Sequence, residues 1–271
     1  MRYLDILNKY LPLAKKANLE EEAVKLIVAE ASSMSQSEIY LHYNEEIPSL
    51  LEDKMVKGIE KYLTGYPAQY VLGYTYFYGI KLKVNEDVLI PRFDTEVVID
   101  WAIKLAKNYH NPKVLDICTG SGAIAIALAK NGISNVDGLD ISKKALKVAR
   151  LNAKDNNVKI RFIESDLLRN VKEKYDILIS NPPYIEASAK GVDKMVLDHE
   201  PHLALFGGID GLDFYRAILK DASKYLNLGG TIIFEIPYDK ANDIKAIALM
   251  YFKNIQVEKD LAGNDRVMII N

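Results

Sequence analysis

The sequence predicts an α/β fold: a mostly parallel, doubly wound sheet of seven strands closed by an antiparallel pair, preceded by a small helical bundle and a β-hairpin linker. Three observations carry that expectation. From Lys113 onward, short apolar strands alternate with helical stretches, the order that a parallel sheet with helical crossovers requires. The last two strands flank the turn-rich Ala262-Gly263-Asn264-Asp265 and so pair antiparallel. Residues 1 to about 73 carry helical periodicity instead. The expected divisions are residues 1–73, 74–90 and 91–271.

Each element has its own warrant. Leu4, Leu7 and Leu11 recur at helical spacing. Asn18 followed by Glu21 resembles a helix start, and Val24, Ile27 and Val28 then form a stripe. Ser35-Gln36-Ser37-Glu38 has capping-box spacing, in which serine and glutamate side chains satisfy free N–H groups reciprocally. Pro48 sits where a helix's first turn would begin; Leu51, Met55, Ile59, Tyr62 and Leu63 supply that helix's apolar face, and Gly65 with Pro67 ends it. Tyr74 to Val84 places aromatic and β-branched residues before Gly79 and strict alternation after it, a hairpin signal. Pro91 stops the next strand, and a helix is expected from about Thr95 to Lys107.

Strands are then expected at 114–117, 136–140, 159–164, 175–180, 231–236, 254–258 and 266–270. Helices are expected at 123–130, 142–156 (opened by Ser142 as N-cap), 212–226 and 239–251. Segment 185–211 reads as a long loop, and long loops in compact domains are usually functional.

Composition narrows the function classes. The net charge of −2 gives no whole-protein field toward nucleic acid or anionic membrane. The single cysteine, Cys118, excludes an intramolecular disulfide and fits a reducing compartment. Charge within Met1 to Asp5 stands where a signal peptide needs an apolar core. The apolar run Ala123 to Ala129 is far too short to span a bilayer, and four histidines with one cysteine leave no metal-ligand cluster. A cytoplasmic, metal-free protein is expected.

Ile177-Leu178-Ile179-Ser180-Asn181-Pro182-Pro183-Tyr184 begins as a buried strand and ends in a tetrapeptide unsuited to one. Pro182 and Pro183 donate no N–H, and Asn181 is biased to an extended backbone by the proline after it. A stiff polar amide and aromatic ring at the carboxyl end of a strand mark a ligand position in an open α/β sheet. A proline-rich turn is the plainer reading. Asp116-Ile117-Cys118-Thr119-Gly120-Ser121-Gly122 forms a glycine-rich strand-to-helix turn, where N–H groups at the helix start can meet a ligand. The turn has neither the dinucleotide spacing nor a P-loop lysine. Asp140 ends the next strand and can accept from both ribose hydroxyls, or can simply start the helix at Ser142. Asp166 can take an adenine amino group, or cap the residues from Leu167. Together these strand ends describe an adenosine-shaped pocket with no pyrophosphate site, which S-adenosyl-L-methionine fits.

A planar amide or aromatic amine is a poor nucleophile, because its lone pair is delocalised. Bonds from its NH2 to the Asn181 side-chain oxygen and the Pro182 carbonyl would orient the nitrogen and favour its pyramidal form. Tyr184 can stack on the planar group and face a sulfonium cation. The proton can leave after the transfer, so catalysis is mostly positioning.

Asn-Pro-Pro-Tyr after a fourth strand resembles amino-methyltransferases, including DNA adenine-N6 enzymes. The wider set is more specific: Gly65 to Gly73, Leu89 to Glu96, Asp116 to Ala125, Asn181 to Ile185, and Glu200 to Leu212. In this order, over nearly the whole chain, these motifs resemble the PrmC/HemK family of peptide chain release factor N5-glutamine methyltransferases. The resemblance implies a Rossmann-like class I methyltransferase fold. It implies methyl transfer from S-adenosyl-L-methionine, leaving S-adenosyl-L-homocysteine, to the glutamine amide of the Gly-Gly-Gln motif in class-one release factors, modulating translation termination. It implies cofactor contacts from Cys118, Thr119, Gly120, Ser121, Gly122, Asp140, Leu167 and Asn181, to which Asp116 and Asp166 are added. Asn181, Pro182, Pro183 and Tyr184 would hold the glutamine, and the helical domain would grip the protein substrate. A monomer is expected, without stable nucleic acid or membrane association.

The chain departs from the family pattern at Cys118, where Gly is frequent, at Leu167, where an aromatic is common, and at Pro237, where Gly is usual. Arg92, Glu96 and Glu200 match the family and suit an ion pair at least as well as a ligand contact. Two rivals stand: an adenine-N6 DNA or RNA methyltransferase, and a non-catalytic cofactor-binding protein.

Overall fold

A computed structural model describes residues 1–188 and 190–271. It divides into two compact units, Met1–Tyr74 with Lys194–His199, and Thr75–Asp193 with Glu200–Asn271.

The first unit is helical. Its helices are α1 (Tyr3–Lys16), α2 (Glu21–Ser32), α3 (Gln36–Leu41), α4 (Ser49–Leu63) and α5 (Ala68–Leu72). Ile6, Val24, Val28, Met55 and Ile59 sit at helical spacing and fill its core. The capping box is present, with Ser35 Oγ accepting from the Glu38 N–H. Asn18 does not start α2. It lies beyond α1 at φ 57°, in the left-handed region that asparagine tolerates, and Glu20 is the N-cap.

The hairpin β1 (Tyr74–Phe77) and β2 (Ile80–Lys83) follows, and all of it from Thr75 onward belongs to the second unit. Tyr78 and Gly79 both have positive φ, as a two-residue hairpin turn matched to strand twist requires. Phe77, Ile80 and Leu82 pack into this unit's core. Then follow α6 (Glu96–Ala106), β3 (Lys113–Ile117), α7 (Ala123–Lys130), β4 (Asn135–Asp140), α8 (Lys143–Asp155), β5 (Arg161–Glu164) and β6 (Tyr175–Ser180). Segment 185–211 is not a bare loop. It holds two short helices, α9 (Lys194–His199), which groups with the first unit, and α10 (His202–Leu205). Short helices of this length carry too few periodic residues to read from sequence. The chain ends with α11 (Asp213–Tyr225), β7 (Leu226–Glu235), α12 (Ala241–Ala248), β8 (Ile255–Lys259) and β9 (Asp265–Ile270).

The sheet has seven strands in the order β5-β4-β3-β6-β7-β9-β8. Pairing is parallel from β5 through β7 and antiparallel for β7 with β9 and β9 with β8. Both faces are covered. Ile177 and Ile179 enter the core under α6 and α7, while Leu178 enters the opposite core under α11 and α12. That explains the unbroken apolar run of β6, since a strand buried on both sides has no polar face. Strand order reverses between β3 and β6, and the crevice beyond their carboxyl ends is where such sheets bind ligands.

Candidate active site

Register fixes which residues leave the sheet side by side. Ile117 pairs with Ser180, and Ser180 with Phe234. The next residues, Cys118, Asn181 and Glu235, therefore emerge together at the reversal of strand order. The Ser180 hydroxyl donates to the Ile117 carbonyl at 2.6 Å and ties the two central strands there.

Asp116 is fully buried beneath the turn that follows β3. Its Oδ2 accepts from the Thr119 hydroxyl at 2.5 Å and from the Ala125 N–H at 3.2 Å, so one carboxylate oxygen closes the turn and anchors the first turn of α7. Burial pushes its pKa up to about 7 against those two bonds. Its Oδ1 is buried with no partner among the described residues. Cys118 adopts φ 62°, so the turn does carry a side chain in the left-handed region. Burial raises the pKa of its thiol far above that of a free cysteine. Gly122, at φ 82°, is the N-cap of α7, and a Cβ there would lie 3.2 Å from that of Ala149. Asn152, fully buried on α8, donates to the Ser121 carbonyl at 2.9 Å and to the Lys83 carbonyl at 3.0 Å, and accepts from the Lys83 N–H.

A cavity opens beside this turn. Cys118 and Gly120 line it from β3, Asp140 from β4, Asp166 and Leu167 after β5, and Asn181 and Pro183 after β6. Asp87, Val88 and Leu89 line it from the segment after the hairpin, and Pro201, Leu203 and Ala204 from around α10. Asp140 spends one bond per oxygen on the turn, accepting from the Gly120 and Ser142 N–H groups at 2.9 Å each. A carboxylate has about four acceptor positions, so both oxygens can still take a hydroxyl. The lining holds three carboxylates, Asp87, Asp140 and Asp166, and no lysine, arginine or histidine. A nucleotide phosphate would find three carboxylates and no cationic side chain there, whereas S-adenosylmethionine, net positive through its sulfonium and ammonium against one carboxylate, suits that set of acceptors. Leu167, at φ 48°, contributes an apolar wall.

Asp116, Thr119, Ser121 and Gly122, all expected to contact the cofactor, do not line the cavity. They shape the turn from behind, because the Thr119 hydroxyl is engaged by Asp116 and Gly122 is packed against α8. Pro182 and Tyr184 do not line it either. Pro182 is buried, and burial with the nearby Glu235 pushes the Tyr184 hydroxyl up to about 12.

Asn181 is half-buried, and its Nδ2 donates to Thr95 Oγ1 at 3.1 Å. That leaves its Oδ1 uncommitted among the described residues. Behind the tetrapeptide runs the segment from Gly207 to Gly211. A Cβ on Gly207 would stand 2.5 Å from the Pro183 carbonyl oxygen, and one on Gly211 would stand 2.3 Å from that of Tyr184. Only glycine lets the two backbones approach this closely. Ile185 and Gly207 lock the contact, with the Gly207 N–H donating to the Ile185 carbonyl at 2.9 Å.

Sequence reasoning left Arg92, Glu96 and Glu200 open. Glu200 is buried, pairs with the Arg92 guanidinium and accepts from the Ile90 N–H at 3.0 Å; Glu96 accepts from the Tyr78 N–H at 2.6 Å. All three have partners within the fold. Thr95, Asn152 and Glu235 were missed as site-supporting residues. The one signal was a buried-strand glutamate, Glu235, following the apolar run of β7.

Residues 7–73 match the family model described as PrmC N-terminal domain, and residues 100–209 match Methyltransferase small domain. A release factor glutamine methyltransferase of Streptococcus pneumoniae is 40% identical over 258 residues, covering 93% of this chain and 92% of its own. One from Thermodesulfovibrio yellowstonii is 38% identical over 272 residues, 97% of each chain. Among solved structures, a methyltransferase from Pyrococcus furiosus is similar with a TM-score of 0.53 at 18% identity, covering 82% of this chain and 98% of its own, a likeness of fold.

Proposed function

Because the chain belongs to the release factor glutamine methyltransferases, we propose that it methylates the side-chain amide nitrogen (N5) of the glutamine in the Gly-Gly-Gln motif of class-one release factors. The methyl donor is S-adenosyl-L-methionine, which supplies an electrophilic methyl on a sulfonium. Cys118, Gly120, Asp140, Asp166, Leu167 and Asn181 would hold it, with Asp140 on the ribose hydroxyls and Leu167 against the base. Asp116, Thr119, Ser121 and Gly122 keep the turn in shape for it.

The observation that carries this reading is the uncommitted Asn181 Oδ1 at the end of β6, beside a cavity lined by carboxylates and no cations. Asn181 Oδ1 and the Pro182 carbonyl accept the two N–H groups of the glutamine amide and fix the direction of its lone pair. Pro182 and Pro183 hold those acceptors rigid, so little reorganisation remains at the moment of transfer. Tyr184 covers the amide plane. The proton leaves the nitrogen after transfer, to water. The helical unit grips the release factor; the chain acts in the cytoplasm as a monomer, without stable nucleic acid. No helix among the described residues is long and apolar enough to cross a membrane.

An adenine-N6 methyltransferase would share the tetrapeptide but needs a basic target-recognition surface. A methyl-transfer assay with release factor and duplex DNA offered separately decides between them. Transfer to the release factor alone is expected; transfer to DNA with none to protein would overturn the reading.

A further inference from the structure

Two large apolar side chains stand in water near Asn181, and one buried arginine holds the bases of both. Phe93 is 77% exposed and Leu261 104%. Exposed apolar residues scattered singly are ordinary. These two are not scattered. Arg266, buried at the start of β9, pairs with Asp94 through Nη2 at 3.1 Å and with Asp260 through Nε and Nη2 at 3.2 Å each. Phe93 directly precedes Asp94, and Leu261 directly follows Asp260. Two carboxylates on one planar guanidinium brace the two backbones against each other. Asp260 also accepts from the Ala262 and Asn264 N–H groups at 3.0 and 2.9 Å, which closes the turn between β8 and β9 around Leu261.

The pair is continuous with the acceptor site. Phe93 opens the short 3-10 turn Phe93–Thr95, and Thr95 at its end accepts from Asn181 Nδ2 at 3.1 Å. Two residues, roughly 4 Å of 3-10 rise, separate Phe93 from Thr95. On the other flank, the Ile236 N–H donates to the Arg266 carbonyl at 2.8 Å where β7 ends beside β6. A chain whose glutamine sits at Asn181 therefore has its neighbouring residues within reach of Phe93 and Leu261.

The acceptor asks for such a surface. The two glycines of Gly-Gly-Gln offer no side chain. Two hydrogen bonds to one amide add little net affinity, since each replaces a bond to water. Affinity for the protein substrate has to come from residues outside the tripeptide. We propose that Phe93 and Leu261 form an apolar clamp, braced by Arg266, that grips apolar side chains of the release factor next to its Gly-Gly-Gln motif. The inference rests on the release-factor glutamine being the acceptor. Both backbones are fixed before binding, so only side-chain rotamers are left to order. The clamp supplies affinity and takes no part in the transfer.

Steady-state kinetics of the full chain on release factor test the clamp, using Phe93→Ser, Leu261→Ser, the double variant and Leu228→Ser. Leu228 is as exposed as Leu261 but lies near the start of β7, whose far end reaches the site, and so serves as control. Each single clamp variant should raise KM for release factor on the order of 10-fold, and the double variant more, with kcat and Kd for S-adenosylmethionine held within about twofold. Leu228→Ser should leave all three unchanged. Wild-type KM in the double variant would overturn the clamp. So would a loss of kcat at constant KM, which would mean that the turn acts on Asn181 through Thr95 instead of gripping substrate. An equal rise in KM from Leu228→Ser would overturn it as a general surface effect. Sedimentation that shows a wild-type dimer and a monomeric double variant of unchanged KM would give the surface to a second copy of the chain. Wild-type enzyme silent on release factor would contradict the glutamine reading itself, a result distinct from any variant's.

Discussion

Asp116 shows how a single residue carries a pH dependence that no surface charge could. Its pKa, pushed up to about 7 by burial, stands above the unfolded value of about 3.9. A carboxyl raised on folding contributes stability that is full below the unfolded pKa and is lost as pH rises through the folded pKa. Between pH 4 and 7 the native state binds more protons here than the unfolded chain. Urea unfolding across that window should therefore show wild type losing stability more steeply than Asp116→Asn, by up to about 1.4 kcal/mol per pH unit. Equal slopes would contradict the assignment. At this scale the sequence was readable where a residue ends a strand: Asp140, Asp166 and Asn181 all reach the cavity. It was silent where a partner lies far along the chain. Thr95 meets Asn181 only because α6 begins beside the end of β6, and no spacing records that. Asp116 ends no strand at the cavity; its own strand and turn bury it.

The element that holds the tetrapeptide Asn181 to Tyr184 is the glycine-bearing segment behind it. Gly211 has φ 78° and stands against the Tyr184 carbonyl. Gly211→Ala forces a Cβ into that oxygen and into a left-handed backbone, which should cost about 2–4 kcal/mol in urea unfolding and depress turnover through a shifted Tyr184. A variant of wild-type stability and rate would contradict the cradle. Strands and long helices were legible because both sheet faces are covered and their periods are clear. Segment 185–211 was not, since α9 and α10 are single turns or little more, placed by tertiary contacts rather than periodicity. β7 begins at Leu226, ahead of the strand expected from Thr231, and takes in Asn227, Gly229 and Gly230, residue types depleted in strands.

For the whole molecule, alternation of strands and helices declared a parallel sheet, and the antiparallel closing pair was read from its turn. The strand order itself is invisible to periodicity, yet it puts β3 and β6 side by side and so brings Asn181 to the cavity that Cys118, Gly120 and Asp140 also line. The proposed activity is one methyl transfer, positioned by one residue, Asn181. Its most direct test is the mass of the Gly-Gly-Gln peptide from a release factor incubated with S-adenosylmethionine and either the wild-type chain or Asn181→Ala. The wild type should add one methyl to the glutamine, and Asn181→Ala should slow that addition on the order of 10²–10³-fold. An unmodified glutamine with wild type, or near-normal methylation by Asn181→Ala, would contradict it.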